Sequence, residues 1–140
     1  MKLIYLIGEP GVGKTTAMRE LTSRLGPAVE TTKPFAHRVG ADWMELGRER
    51  GTFSGTDALS MSVQPMAIGF LRQAARDNLV RLVLGEGDRL GTGSFLDAVG
   101  VFADVRLVGL VAPPEVAAAR RELRGSRQAE TWLKGRINKV

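Results

Sequence analysis

Apolar positions along the chain follow two rhythms. Leu3, Ile4, Tyr5, Leu6 and Ile7 form an unbroken run, the pattern of a strand covered on both faces. Over residues 14–25 the apolar residues Ala17, Met18, Leu21 and Leu25 recur about every fourth position, which predicts an amphipathic helix stopped by Gly26-Pro27. Residues 28–30 predict a short second strand. Residues 35–39 and 43–46 are expected to pair as a hairpin across Gly40-Ala41-Asp42, followed by a polar, glycine-containing stretch over 47–60. Ser62 is expected to cap a helix running to about Asp77, with Pro65 in its first turn. Further along, 81–84 reads as a strand, 94–99 as a short helix and 105–111 as a strand. Pro113-Pro114 opens a helix reaching Arg124, and after Gly125-Ser126 a helical pattern resumes over 128–134.

Strands alternating with helices predict an α/β fold, a three-layer sandwich around a mainly parallel sheet. The 140 residues suffice for one hydrophobic core. No repeat, low-complexity stretch or linker divides them, so residues 1–140 are expected to form a single domain.

The turn after the first strand carries the clearest chemistry. Gly8-Glu9-Pro10-Gly11-Val12-Gly13-Lys14-Thr15 fits G-x-x-x-x-G-K-[ST] at every fixed position. Glycines let the backbone curl until successive N–H groups point inward at phosphate oxygens. Lys14 would set an ammonium against the β- and γ-phosphates of ATP, Thr15 would offer a hydroxyl to Mg²⁺, and Thr16 follows within reach of the same tail. The helix starting near Lys14 turns the positive end of its dipole toward the same anion. An apolar strand before the loop and an amphipathic helix after it are the context the motif requires.

A second group of candidates follows the 81–84 strand. Glu86 and Asp88 flank Gly87, so both could reach one site if the segment is extended. A carboxylate beside the phosphate loop can hold a metal-bound water or accept the proton of an attacking hydroxyl. Glu86 is preferred for the metal or base role, with Asp88 close behind, and Arg89 could bind an acceptor phosphate or orient the acidic pair. A third group is basic. Arg120, Arg124 and Arg127 lie at helical spacing beyond the last strand and share a face if the helix continues through Gly125. Arginines on such a lid-like segment, about 112–130, can stabilise charge spread over a phosphoryl group in transfer.

Composition narrows the possibilities. The chain has no cysteine, which removes disulfides, thiolate metal sites and a cysteine nucleophile. Its single histidine, His37, cannot build a multi-histidine metal site and is expected at the surface or on the substrate side. No stretch approaches the roughly 20 apolar residues of a membrane span, and a cytoplasmic protein without a membrane partner is expected. A net charge of +5 favours anionic partners, either nucleotides or nucleic acid. Trp43 and Trp132 could stack on bases, although lone tryptophans are more often core or interface residues.

With these elements placed, the chain resembles the small P-loop kinases of the nucleoside and nucleotide kinase group. The resemblance rests on GEPGVGKT, on EGDR at the strand end, and on the apolar strand followed by PPEVAAARRELRG, which is similar to the strand-to-lid passage of thymidylate-kinase-like enzymes. It implies that Asp88-Arg89 contacts the acceptor. The stretch FSGTDALSMSVQP is similar to a segment of phage-encoded P-loop proteins, among whose relatives are kinases of hydroxymethylated bases in DNA. That likeness implies that Ser54, Thr56 and Asp57 line the acceptor side. Nucleotide kinases usually carry another strand and an adenine-contacting loop after the lid. The base pocket here is therefore expected to be minimal, to be completed by a second subunit in a homodimer, or to be formed by residues 128–140. The resemblance implies an ATP- and Mg²⁺-dependent transfer to a hydroxyl or phosphate of a nucleotide-like small molecule, or to a modified base in DNA. A switch ATPase without an acceptor is the competing class.

Overall fold

The computed structural model describes residues 1–47 and 55–123. Within them, six strands form one sheet: β1 (Lys2–Ile7), β2 (Val29–Thr31), β3 (His37–Val39), β4 (Trp43–Leu46), β5 (Leu82–Glu86) and β6 (Asp104–Gly109), in the order β2-β3-β4-β5-β1-β6. The helices are α1 (Lys14–Leu25), α2 (Gln64–Arg76), α3 (Gly93–Gly100) and α4 (Pro114–Leu123). Strands β4, β5, β1 and β6 run parallel, and the hairpin β3–β4 with β2 adds an antiparallel edge. This is the expected α/β sandwich.

Side-chain alternation along the central strands builds the two outer layers. Leu3 and Tyr5 of β1, Val83 of β5, and Met44 and Leu46 of β4 pack with Ala67 and Leu71 of α2 and Phe95 and Val99 of α3. Their neighbours Leu6, Leu84 and Trp43 turn to the opposite face and pack with Met18 of α1. A strand with both faces covered has to be apolar at consecutive positions, and that is why β1 reads as an unbroken run.

The elements differ from expectation mainly at their ends. β5 continues through Gly85 to Glu86, so Glu86 closes the strand and does not lie in the turn beyond it. α2 starts at Gln64 behind Val63, which already has helical dihedrals, and Ser62 does not cap it: the Ser62 hydroxyl bonds that of Ser60. Thr92 caps α3 by accepting the N–H of Phe95 at 3.2 Å. The helical pattern expected over 128–134, together with Arg124, Arg127, Trp132 and Ser54, lies outside the described residues.

One expectation about a single residue is overturned. His37 is buried, its Nδ1 lies 2.8 Å from the Phe35 carbonyl oxygen, and its ring packs against those of Phe35 and Phe70. Antiparallel pairing with Leu46 carries it into the interior, where its apolar ring faces fit among aromatics. Trp43 is 3% exposed, with the Arg38 guanidinium 5.7 Å above its ring, so it takes the core place expected of most lone tryptophans and is no base-stacking platform. Among the described residues, no helix is long and apolar enough to cross a membrane.

The packing gives a direct test. Leu71 is fully buried between the sheet and α2. Leu71→Ala is expected to lower stability by about 2–5 kcal/mol through lost transfer energy and a residual cavity. Met61→Ala, at a position 82% exposed, should stay within about 0.5 kcal/mol of the parent. Urea titration of the two variants measures both.

Candidate active site

The loop between β1 and α1 has the backbone its glycines allow. Gly11 and Gly13 take φ of 90° and 101°, in the left-handed region that L side chains rarely adopt. Gly11 also has no room for a side chain, because a Cβ there would lie 2.3 Å from the carbonyl oxygen of Ala117 in α4. Gly13 leads directly into α1 without a side-chain cap, and Ala17 N–H closes back on the Gly13 carbonyl at 2.9 Å. The Lys14 ammonium donates to the carbonyl oxygens of Gly8 (2.6 Å) and Glu9 (3.1 Å), which holds its charge against the loop. Thr16 is exposed on the first turn of α1.

β5 delivers a carboxylate to this loop. Its parallel register with β1 sets Leu6 opposite Glu86, one residue before the end of β1. The buried Glu86 carboxylate accepts a hydrogen bond from the Thr15 hydroxyl at 3.0 Å. A hydroxyl and a carboxylate side by side are two hard oxygen donors, of the kind Mg²⁺ takes alongside phosphate oxygens and water. The curled loop, the ammonium and this oxygen pair thus fit a magnesium-bound polyphosphate.

Residues 55–57 close the other side of Glu86. Gly55, with φ of 62°, approaches so closely that a Cβ would lie 2.5 Å from Glu86 Oε1. Thr56 is fully buried and lies 2.8 Å from the Tyr5 hydroxyl. Because Tyr5 donates to the Gly87 carbonyl oxygen at 2.8 Å, the Thr56 hydroxyl is the donor to Tyr5. Asp57 Oδ1 accepts the backbone N–H groups of Asp88 (2.8 Å) and Arg89 (3.2 Å). The Arg89 side chain turns aside, donating from Nε to the Leu59 carbonyl oxygen at 3.1 Å and lying against the Met61 sulfur.

On the far side of the loop stands α4. Arg120 donates to the Gly11 carbonyl oxygen at 3.3 Å and Arg121 to that of Pro10 at 2.7 Å. With Ala117 fully buried against Gly11, the last described helix and the phosphate loop form one packed unit.

The structure therefore brings Gly8, Glu9, Pro10, Gly11, Val12, Gly13, Lys14 and Thr15, together with Glu86 and Arg120, to one place at the carboxyl ends of β1 and β5. Thr56, Asp57, Asp88 and Arg89 form an adjoining cluster. Thr56 is fully buried against the Tyr5 hydroxyl, and the half-buried Asp57 holds backbone N–H groups with Oδ1. Arg124 and Ser54 lie outside the described residues.

Sequence reasoning did not single out Tyr5, Gly55 or Arg121 for the site. Tyr5 offered one faint signal, as the one residue with a polar group in the apolar run. Its ring is accommodated by Gly85 and Gly91, where a Cβ would come within 2.5 Å and 3.1 Å of it.

Burial pushes the Tyr5 phenol well above its usual range, against the Thr56 hydrogen bond and with the help of the Asp57, Glu86 and Asp88 charges. Burial also raises the Asp57 carboxyl. The Asp88 N–H bond opposes that rise, the Asp88 charge adds to it, and the Arg89 N–H bond and charge oppose it.

A family model described as P-loop Nucleotide Kinase3 matches residues 1–140. No curated protein matches the chain.

The raised Asp57 value has a sign that can be measured. In the fold this carboxyl holds its proton more tightly than in the unfolded chain, so its ionised form weakens the fold at neutral pH. The penalty fades as the pH falls through the folded value toward the unfolded one. Asp57→Asn removes that titration. The Tm difference between variant and wild type is expected to favour the variant most at neutral pH, and to shift toward the wild type on acidification into the carboxylate range. Scanning calorimetry across pH reads the trend, and the opposite slope would refute the direction.

Proposed function

Because the chain belongs to the P-loop Nucleotide Kinase3 family, we propose that it moves the γ-phosphate of ATP to a hydroxyl or phosphate of a nucleotide-like acceptor. The observation that carries this reading is the 3.0 Å contact between the Thr15 hydroxyl and the Glu86 carboxylate at the mouth of the glycine loop. It sets a metal-seeking oxygen pair beside a phosphate cradle, the combination that phosphoryl transfer needs.

The residues divide the work. N–H groups from Gly11 to Thr15 receive the phosphate oxygens, with α1 adding the favourable end of its dipole. Lys14 brings a positive charge to the β- and γ-phosphates. Thr15 and Glu86 would hold magnesium, which would neutralise charge on the triphosphate. Glu86 orients the Thr15 hydroxyl. Asp88, one residue beyond Gly87, is the carboxylate for an acceptor hydroxyl: it takes the proton as the acceptor oxygen bonds phosphorus and the bond to ADP breaks. Arg120, already seated at the loop, supplies charge to the phosphoryl group in transfer.

Incubation with γ-labelled ATP, Mg²⁺ and a panel of nucleosides, nucleotides and DNA carrying hydroxymethylated bases tests the proposal. Label is expected on one acceptor class. Label appearing only as inorganic phosphate, with or without acceptor, would favour the switch ATPase. Lys14→Ala should lower transfer by at least about 10²-fold, the scale of losing one electrostatic contact to the transition state. Its circular dichroism should be unchanged, because Lys14 lies outside both core clusters. Full activity in that variant would remove Lys14 from the assigned role.

A further inference from the structure

Four successive residues at the end of β5 are each gripped from outside the strand. Glu86 is boxed in by Gly55, whose missing side chain leaves the space the carboxylate occupies. Gly87, at φ of 105°, has its carbonyl oxygen bonded by Tyr5 and lies so close to Thr56 that a Cβ would come within 2.9 Å of the threonine hydroxyl oxygen. Asp88 and Arg89 both give their backbone N–H groups to Asp57 Oδ1. The Thr56 oxygen also meets the Leu90 N–H at 3.4 Å. Three consecutive residues, Gly55, Thr56 and Asp57, together with one tyrosine from the phosphate-loop strand, thus fix the whole turn that carries the site's acidic residues.

A carboxylate accepting two adjacent backbone N–H groups acts as a cap on a turn. It fixes the dihedral angles of the residues that donate, and so the direction in which their side chains leave the chain. Here those residues are Asp88 and Arg89, and the turn they belong to begins at Glu86. Catalytic groups displaced by about 1 Å can cost on the order of 10²-fold in rate. We propose that Asp57 is a positioning residue for phosphoryl transfer: it holds the Glu86–Arg89 turn, and with it the Glu86–Thr15 contact, in register with the phosphate loop. The proposal rests on the kinase reading above and replaces the implied acceptor contact of Asp57 with a contact to the protein's own backbone. Tyr5 and Thr56 are the second anchor of the same turn.

Asp57→Ala removes the acceptor of both N–H bonds, while Asp57→Asn keeps a carbonyl oxygen able to receive them. The alanine variant is expected to lose about 10- to 100-fold in kcat, with acceptor and ATP KM within about 3-fold of wild type, and the asparagine variant to recover most of the loss. Calorimetric titration with ATP, with and without Mg²⁺, gives a readout apart from turnover. The gain in affinity that Mg²⁺ confers should shrink in Asp57→Ala and return in Asp57→Asn. Should Asp57→Ala fail to fold, Tyr5→Phe, which keeps the ring and loses the bond to Gly87, is expected to show the same kcat loss and the same weakened Mg²⁺ effect. A raised acceptor KM at unchanged kcat would make Asp57 an acceptor contact and overturn the proposal. An alanine variant as active as wild type, with an equal Mg²⁺ effect, would also overturn it. A wild type that transfers no label to any acceptor would instead overturn the kinase reading on which the proposal rests.

Discussion

The hydrogen bond from Thr15 to Glu86 joins the first turn of α1 to the last residue of β5. It forms because β1 and β5 are adjacent and parallel, with a register that sets Leu6 beside Glu86. In a parallel sheet all carboxyl ends lie on one edge, so the loop leaving β1 and the carboxylate ending β5 meet there without any special device. The site depends on that register. A slip of one residue would turn the Glu86 side chain to the other face of the sheet and leave a buried charge without its hydroxyl partner.

Around this contact the chain spends glycine and buried polarity where an ordinary core would have neither. Gly55, Gly85 and Gly91 leave space for a carboxylate and for a phenol ring. Tyr5 and Thr56 are completely buried polar residues, and both hydroxyls are satisfied by one another and by the Gly87 carbonyl oxygen. A satisfied buried network specifies one arrangement, since any alternative packing would strand a polar group. The same logic applies on the other side of the loop, where Arg120 and Arg121 bond the carbonyl oxygens of Gly11 and Pro10. The phosphate loop is thus held from both flanks, by β5 with residues 55–57 and by α4. A binding surface held before the ligand arrives loses less entropy on binding.

The elements that were legible are those whose local signals agree. The apolar run of β1, the four-residue rhythm of α1 with its Gly26 stop, and the double proline opening α4 all lie where the pattern put them. Gly8-Glu9-Pro10-Gly11-Val12-Gly13-Lys14-Thr15 was recognisable because phosphate binding by main-chain amides demands glycine at fixed spacing. Less legible were the ends of elements and the fate of single side chains. His37 looked available for contact with a ligand, yet strand pairing buries it, and for Trp43 burial decides between base stacking and the commoner core place. Ser62 had the right chemistry for a cap, but Val63 holds the cap position and the Ser62 hydroxyl bonds that of Ser60.

By itself the sequence determined the architecture, the phosphate loop and the presence of an acidic strand end, since each depends on the order and spacing of residues along a short stretch. Tertiary structure alone decided which groups face one another across long separations: Tyr5 with Thr56 and Gly87, Asp57 with the backbone of Asp88 and Arg89, and Arg121 with Pro10. Such contacts join residues 31 to 111 positions apart. Local periodicity carries no information over that distance, because the pairing is fixed by strand register and layer packing, which exist only once the chain has folded.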